Sequence, residues 1–359
     1  MLNNVFVFDI ETVPDVDAAR RLWNLKDLSD ENVAKVMVAK RQQETDGASD
    51  FLRHHLHRVV AISAVFRSDD RLSVWSLGEE DGTEADLLRR FFEGLERYTP
   101  TLVSWNGGGF DLPVLHYRAL LHGIPASRYW DTGNDDHTFR YNNYLGRFHW
   151  RHIDLMDVLS GYQPRAAAPL HDIASLLGFP GKVGMSGKDV WPTYLAGGLA
   201  AIRAYCETDV LNTWLVYLNF ERMRGNLLGD AYADELTRVR RHLADSAKPH
   251  FLEFLAAWPD VAVTPVNNYT PCRLSPGRSS NASPTRGAAW PEWTAKPCSS
   301  TARCRAKRLA FAIPVATASL MKPRQPKSLT ITPIAWCQVV RTQRAAAVVA
   351  CYILRQTLK

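Results

Sequence analysis

The stretch VFVFDIETVPD, residues 5–15, decides the fold class of this 359-residue chain. It begins with four apolar residues, continues through Asp9 and Glu11, and reaches a chain-breaking residue at Pro14. An apolar run of this length that ends at a turn signal predicts a buried strand. Because side chains two residues apart on a strand leave the same face, Asp9 and Glu11 are expected to lie side by side.

Two neighbouring carboxylates at the end of a buried strand have two interpretations. Acidic residues often mark the point where such a strand reaches solvent. Alternatively, a divalent cation binds between them, since like charges this close resist joint ionisation. Hard cations such as Mg²⁺ prefer several oxygen ligands, so the second interpretation predicts further carboxylates elsewhere in the chain.

Sequence patterns after the first strand predict a mixed α/β domain. Two apolar runs on either side of the polar triplet 68–70 indicate a hairpin, and a second short buried strand is expected at 101–105. Apolar residues at helical spacing predict several helices, and this order of elements favours a mixed central sheet flanked by helices. The expected hairpin strands are 58–66 and 71–77, and the expected helices are 85–98, 111–123, 170–179 and 199–220.

A third acid follows the strand at 101–105, in the stretch SWNGGGFDLPVL (104–115). Asp111 stands at the start of the next helix, where aspartate often serves as the N-cap. It can equally face the same pocket as Asp9 and Glu11, and both interpretations can hold together. The three glycines do not match a phosphate-binding P-loop, because no Lys-Ser or Lys-Thr pair follows them.

The fourth acid lies in AYCETDVLN (204–212), on the long helix near the end of the domain. Tyr205 and Asp209 are four residues apart, so they share one helix face. One interpretation is a tyrosine with its ring in the core and its hydroxyl at the rim, beside a solvated aspartate. The other places both residues at the site formed by Asp9 and Glu11.

Together these stretches resemble the DEDD superfamily of 3′–5′ exonucleases, and in particular the stand-alone predicted exonucleases related to the proofreading domain of family B DNA polymerases. The resemblance extends from residue 1 to about residue 258 and implies an RNase H-like fold. Ala204 occupies the position where other members carry histidine, so Tyr205 makes this the tyrosine type, DEDDy. The matching motifs are FDIET (8–12), N-x-x-x-F-D (106–111) and Y-x-x-x-D (205–209).

The resemblance also implies a catalytic mechanism that uses two Mg²⁺ or Mn²⁺ ions. Asp9 would bridge both ions, Glu11 and Asp209 would complete the first, and Asp111 would hold the second. The Tyr205 hydroxyl would orient the attacking water, and the products would be nucleoside 5′-monophosphates. The implied substrate is the 3′ end of single-stranded nucleic acid, with DNA expected. A 3′–5′ exoribonuclease is one alternative, and a catalytically silent domain that binds nucleic acid or a partner protein is another.

Candidate substrate contacts follow from the same motifs and from local composition. Asn106 and Phe110 flank Asp111 and are expected to hydrogen-bond and stack on the terminal nucleotide. Lys182, in a glycine-rich loop, is expected to reach phosphate or is simply exposed. Aromatic residues alternate with arginines in 128–130 and 139–152, a composition that suits single-stranded bases and phosphates. Aromatic core packing with solvated arginines explains those stretches equally well.

Charge divides the chain into two unlike parts, which we interpret as an exonuclease domain (1–258) and a basic tail (259–359). Residues 1–260 hold 28 Lys and Arg against 36 Asp and Glu, a net charge of −8, whereas residues 261–359 hold 15 against one, a net charge of +14. The tail lacks sustained periodicity and is interpreted either as an out-of-frame translation or as a disordered nucleic-acid-binding segment. Truncation near Pro259 is expected to preserve the metal site.

Membrane insertion is not expected, because the longest apolar run near the second end of the sequence, residues 345–354, is too short to span a bilayer. Asp9 and Glu11 interrupt the apolar stretch near residue 1, so no secretory signal is predicted. Cys206 is the single cysteine before residue 261, and this favours a reducing, cytoplasmic compartment.

Overall fold

The computed structural model of the chain describes residue 2, residues 4–246 and residues 248–259. The basic tail from residue 260 onwards, with its two interpretations, lies outside the described residues. The strands are Val5–Pro14 (β1), His57–Ser68 (β2), Arg71–Ser76 (β3), Thr101–Ser104 (β4) and His152–Asp154 (β5). The α-helices are Val16–Trp23 (α1), Asp30–Glu44 (α2), Glu84–Tyr98 (α3), Asp111–His122 (α4), Ser127–Trp130 (α5), Leu155–Leu159 (α6), Leu170–Leu176 (α7), Val190–Leu195 (α8), Leu199–Met223 (α9), Asp230–Ser246 (α10) and Pro249–Ala257 (α11).

The five strands form one mixed sheet in the order β3-β2-β1-β4-β5. β2 runs antiparallel to both β1 and β3, whereas β4 runs parallel to β1 and β5 runs parallel to β4. The predicted mixed sheet is therefore confirmed, with the opening strand at its centre. The hairpin, the strand near residue 101 and the four helices predicted from periodicity are confirmed as well, with ends shifted by up to three residues.

The side chains of β1 alternate between two helical layers, as the period of two on a strand requires. Val5 and Val7 pack in one apolar cluster with Trp214 of α9. Phe6 and Phe8 pack in a second cluster with residues of α3 and α4. Asp9 has the parity of Val5 and Val7, so the strand directs it towards the layer that contains α9.

The half of β1 that carries Asp9 and Glu11 has a paired strand on one side only. β4 pairs with only Val5–Val7 of β1, whereas β2 pairs along the whole strand. Asp9 and Glu11 therefore lie beyond the end of β4, beside the loop that follows it. A bulge between Glu11 and Thr12 shifts the register against β2 directly after the second carboxylate.

The long helix α9 covers the face of the sheet to which Asp9 belongs. Its inner side carries five fully buried residues, namely Ile202, Cys206, Val210, Leu211 and Trp214. Two helices that sequence patterns did not predict, α10 and α11, contribute Val239, Phe251 and Phe254 to the same core. Across the described ranges, no helix combines the length and the apolar composition that a membrane span requires.

Candidate active site

Asp9 and Glu11 leave β1 beside Cys206 of α9. One side-chain ligand atom from each of these three residues lies within 4.8 Å of the others. The Cys206 thiol donates to the Asp9 backbone oxygen at 3.4 Å and to Asp9 Oδ2 at 3.6 Å, which ties α9 to the strand. Burial, followed by repulsion from neighbouring carboxylates, raises the pKa of both Asp9 and Glu11 well above ordinary values.

Asp111 is the first residue of α4, and the N-cap position belongs to Phe110. The interpretation of Asp111 as the N-cap is therefore wrong, since this helix end has no side-chain cap bond. Asp111 Oδ1 instead accepts a hydrogen bond from the Ile10 backbone nitrogen at 3.2 Å, which places the carboxylate against β1. The residue is only 4% exposed, and burial raises its pKa to about 7.

Tyr205 and Asp209 approach the same site from α9. The tyrosine ring is buried, as the core interpretation expected, but its side chain interacts with the Asp209 carboxylate. Asp209 is half-buried rather than solvated, and burial raises its pKa. Asp209 also raises the pKa of Asp9 and Glu11 through repulsion, so the fourth acid belongs to the same electrostatic cluster.

A cavity of about 430 Å³ opens onto this cluster of acids. Its walls include three of the acids and the three predicted substrate contacts, namely Asp9, Asp111, Asp209, Asn106, Phe110 and Lys182. Glu11 and Tyr205 adjoin the cavity through Asp9 and Asp209. The walls also contain Trp105, His171 and Asn212, which the sequence analysis did not identify. The predicted residues therefore converge, although they come from elements far apart in sequence.

Asn212 fixes the loop that carries Lys182. Its side chain accepts from the Gly181 nitrogen at 3.1 Å and donates to the Gly181 oxygen at 2.8 Å. Gly181 has φ +67°, and a Cβ there would lie 2.4 Å from His171 Nδ1, so the position requires glycine. Asn212 follows Asp209 by three residues on one helix face, and this spacing was the signal that could have identified it.

The backbone nitrogen of Lys182, the residue after Gly181, determines the tautomer of His171. The Lys182 backbone nitrogen donates to His171 Nδ1 at 2.9 Å. Because Nδ1 accepts this bond, a neutral His171 carries its proton on Nε2. Burial raises the pKa of Glu11 and Asp209, and the positive charge of Lys182 partly offsets that rise. A positive charge and an imidazole donor therefore border the acidic cluster.

Asp154, at the end of β5, holds the loop between β4 and α4. Its carboxylate accepts hydrogen bonds from the backbone nitrogens of Asn106 and Gly108, both at 2.9 Å. Gly107 is required in this loop, because a Cβ there would lie 2.3 Å from Ser104 Oγ. Asp154 is thus a positioning residue for the segment that leads to Asp111, and sequence patterns gave no signal for it.

The stretches 128–130 and 139–152, which are rich in aromatic residues and arginines, contain both buried core rings and exposed rings. Tyr129, Phe139 and Tyr144 are buried and belong to the core. Tyr141 and Phe148 are 86% and 69% exposed, respectively. Core packing and an exposed aromatic surface are therefore both present in this segment.

The donor set of the site suits hard divalent cations. Four carboxylates interact repulsively, and none forms an ion pair with lysine or arginine within the described part of the chain. Bringing carboxylates together without a cation is unfavourable, and Mg²⁺ and Mn²⁺ prefer oxygen ligands of this kind. The residues present therefore fit the cations that the sequence resemblance implies.

Comparison with known proteins identifies the family. The chain belongs to the predicted 3′–5′ exonucleases related to the exonuclease domain of PolB, whose family model matches residues 49–258. The match includes Asp111, Tyr205 and Asp209 and begins after β1. Family membership and the mixed sheet with flanking helices confirm the RNase H-like α/β fold expected from sequence.

One solved structure found in the comparison is the family B DNA polymerase from the hyperthermophilic archaeon Pyrobaculum calidifontis. It shares 17% sequence identity at a TM-score of 0.34, and the similar region covers 70% of this chain and 27% of the polymerase chain. This chain thus spans about a quarter of the length of that polymerase. No match was found among curated proteins.

Proposed function

We propose that this protein is a metal-dependent 3′–5′ exonuclease of the DEDDy type, which releases nucleoside 5′-monophosphates from single-stranded DNA ends. The observation that carries the proposal is the convergence of the four acids at one cavity, beside Tyr205 and Lys182. Family membership supports the polarity and the class of reaction. DNA is the preferred substrate in this proposal, and RNA is tested beside it.

The four acids would hold two Mg²⁺ or Mn²⁺ ions, which supply Lewis-acid stabilisation for in-line displacement at phosphorus. Asp9, at the centre of the cluster, is repelled by all three other acids, and this supports its role as the ligand shared by both ions. Glu11 is repelled by Asp209 and, to a smaller degree, by Asp111, and Glu11 and Asp209 would together hold one ion. Asp111 approaches from α4 and would hold the other ion.

Tyr205 acts through its hydroxyl as a hydrogen-bonding group. Burial, with a smaller contribution from Asp209, raises its pKa, so the hydroxyl stays protonated at any working pH. A protonated phenol cannot be the base that takes a proton from water. Its interaction with Asp209 places the side chain at the acidic cluster, where the hydroxyl can orient the attacking water.

The cavity walls offer distinct groups to the base and to the phosphate of the terminal nucleotide. The half-buried Phe110 ring packs against Phe51 and His57 at centroid distances of 5.3 and 5.2 Å, so it forms a rigid surface for base stacking. The Asn106 side chain has no hydrogen-bond partner among the described residues and lines the cavity. Lys182 and His171 Nε2 supply the positive charge and the donor for the phosphate.

Residues 1–258 form the catalytic unit in this proposal, and the tail is dispensable for hydrolysis. The family match ends at residue 258. Trp258 is buried against Phe179 and Phe254 at centroid distances of 5.7 and 6.2 Å, so the core of the catalytic unit includes this residue. The free, buried Cys206 thiol supports a reducing compartment such as the cytoplasm.

The test is product analysis with the full chain. Matched single-stranded DNA and RNA oligonucleotides are incubated with Mg²⁺, with Mn²⁺ and with EDTA, and the products are separated by chromatography. We expect nucleoside 5′-monophosphates in either metal, faster release from DNA, and none in EDTA. Release of 3′-monophosphates or internal fragments would contradict the proposal, and faster release from RNA would assign the exoribonuclease alternative.

A further inference from the structure

Asp111 and Asp9 come from different elements, so the position of α4 against β1 sets the distance between them. The hydrogen bond from the Ile10 nitrogen to Asp111 Oδ1 attaches the first turn of α4 to the strand. Leu112 and Leu115 of α4 pack in the same apolar cluster as Ile10. Apolar contacts are non-directional, so they leave α4 free to tilt about its first turn. The orientation of the helix therefore depends on a second directional contact, further along its length.

Arg118 supplies that second contact. It lies seven residues after Asp111, about 10 Å along the helix axis and on the same face of α4. Its Nη1 atom donates a hydrogen bond to Asp15 Oδ2, and Asp15 directly follows the last residue of β1. α4 is thus attached to β1 near Ile10 and again at the end of the strand. Two directional attachments define how the helix lies along the strand.

A carboxylate from α3 holds the Arg118 guanidinium in place. Arg118 Nε donates to Glu84 Oε1 at 2.7 Å, and Nη2 donates to Oε2 at 2.5 Å, which makes a bidentate pair. Glu84 also accepts from the Val59 backbone nitrogen of β2 at 2.7 Å and lies 2.8 Å from His122 Nε2. This ion-pair network, formed by Arg118, Asp15 and Glu84, therefore joins α4 to β1, β2 and α3.

Burial makes the geometry of the ion-pair network exacting. Arg118, Asp15 and Glu84 are 5%, 3% and 6% exposed, respectively, and a buried charge that loses its partner is strongly unfavourable. The planar arginine fork serves both carboxylates at once, which a lysine ammonium cannot do. Asp15 also accepts from the Ala18 backbone nitrogen at 2.9 Å as the N-cap of α1, so its carboxylate is held on two sides.

We propose that Arg118 is a positioning residue for the second metal ion. By fixing α4 against the end of β1, it sets the distance between Asp111 and Asp9, the two carboxylates that would hold this ion. The first ion would be held by Asp9, Glu11 and Asp209, which come from β1 and α9 and do not depend on α4. The inference rests on the proposed function, because it takes the acids to hold two ions.

The test is Mn²⁺ binding to the full chain without substrate, measured by isothermal titration calorimetry. Arg118→Lys keeps the charge but lacks the fork, whereas Asp15→Asn keeps an acceptor for the Ala18 nitrogen but lacks the charge. Groups that orient metal ligands contribute about 10- to 100-fold to metal affinity, so each variant should weaken the second Mn²⁺ about tenfold or more and spare the first. An unchanged second affinity in both variants, or equal weakening of both ions, would overturn the proposal.

Arg67→Lys is the matched control. Arg67 Nε and Nη2 donate to the Glu235 carboxylate at distances of 2.7 to 3.1 Å, and the two side chains are 6% and 8% exposed. This buried bidentate pair joins β2 to α10. Its loosening should lower the urea midpoint of unfolding, as Arg118→Lys does, but should leave both Mn²⁺ affinities unchanged. A second Mn²⁺ weakened as much by Arg67→Lys would reduce Arg118 to a general contributor to stability.

Hydrogen exchange at the Ile10 amide gives a readout that requires no metal. Because this amide donates to Asp111, its protection reports whether α4 stays against β1. Loss of one hydrogen bond corresponds to about fivefold faster exchange, so Arg118→Lys and Asp15→Asn should show that increase in EDTA over Arg67→Lys, measured by NMR. Equal Ile10 exchange in all three variants would reject the positioning role, and Asp15→Asn decides the question if Arg118→Lys does not fold.

Turnover separates this proposal from the exonuclease proposal. A wild-type chain that binds two Mn²⁺ ions but releases no nucleotide contradicts only the exonuclease function. Hydrolysis by wild type, together with an unchanged second Mn²⁺ affinity in Arg118→Lys and Asp15→Asn, contradicts only the positioning role. If wild type binds a single ion, the second-ion role of Arg118 fails together with the two-ion site.

Discussion

Replacing Asp111 with asparagine should stabilise the metal-free protein at alkaline pH. The Asp111 carboxyl has an ordinary pKa of 3.8, and burial raises it to about 7 in the folded chain. Between these values the folded state holds a proton that the unfolded state has lost, so the free energy of unfolding falls as pH rises. Asparagine has the same shape, can accept the same bond from the Ile10 nitrogen and carries no charge.

The magnitude follows from the size of the pKa change. One pKa unit corresponds to about 1.4 kcal/mol, so ionisation of Asp111 costs the folded metal-free protein about 4 kcal/mol well above pH 7. About 3 kcal/mol of this change falls between pH 5 and pH 8. Asp111 also raises the pKa of Asp9 by repulsion. The Asp111→Asn substitution removes this repulsion, so it also reduces the loss of stability caused by ionisation of Asp9 at high pH.

The assay is urea unfolding of the full chain in EDTA at pH 5, 6, 7 and 8, with circular dichroism as the measure of unfolding. The difference in unfolding free energy, Asp111→Asn minus wild type, should grow steadily by about 3 kcal/mol between pH 5 and pH 8. Glu93→Gln, which removes an exposed carboxylate from α3, is the matched control and should show no such growth. Parallel pH profiles for wild type and Asp111→Asn would refute the inference that Asp111 is a buried carboxyl whose pKa is raised in the folded chain.

Four further predictions concern metal binding, water orientation, substrate contact and the tail. Mn²⁺ at pH 8 should raise the Tm of wild type but not of Asp9→Ala, measured by calorimetry, and equal shifts would remove Asp9 from the site. Tyr205→Phe should slow single-turnover hydrolysis at least about tenfold with an unchanged circular dichroism spectrum, and an unchanged rate would make the hydroxyl merely structural. Lys182→Ala should reduce the slope of log affinity against log salt concentration by about 0.7, the value for one phosphate contact on a single strand, and an identical slope would place Lys182 away from phosphate. Truncation after residue 258 should preserve the hydrolysis rate, and a marked loss of affinity would favour a genuine binding tail.

The first strand and the placement of the acids were predictable because their signals are local. The alternation along β1 identifies the face of Asp9 from adjacent residues alone, and the helical spacing of Tyr205 and Asp209 places them on one face of α9. The distance between β1 and α9 depends on the whole sheet. The period of two in β1 and the helical period of α9 nevertheless identify the buried face of each element, and these faces pack against each other. The convergence at the cavity follows from these faces.

Other parts of the site gave no comparable signal. β5 contains only three residues, too few for a period of two to emerge, and so the role of Asp154 was invisible. Asn212 fixes the Gly181 backbone, a contact between residues 31 positions apart, and the next backbone nitrogen, that of Lys182, donates to His171. The interpretation of Asp111 as an N-cap is wrong because α4 begins one residue earlier than that interpretation implies. An N-cap aspartate and an aspartate at the first helical position look the same in sequence, and only the backbone geometry at Phe110 distinguishes them.

The most direct test of the central claim is the polarity and metal dependence of strand shortening. Full-length wild type and Asp9→Ala are incubated with a 5′-labelled single-stranded DNA in Mn²⁺ and in EDTA, and products are resolved at single-nucleotide resolution. The account predicts a ladder that shortens stepwise from the 3′ end, only with wild type and only in Mn²⁺. Shortening from the 5′ end, activity in EDTA, or an equal ladder with Asp9→Ala would contradict it.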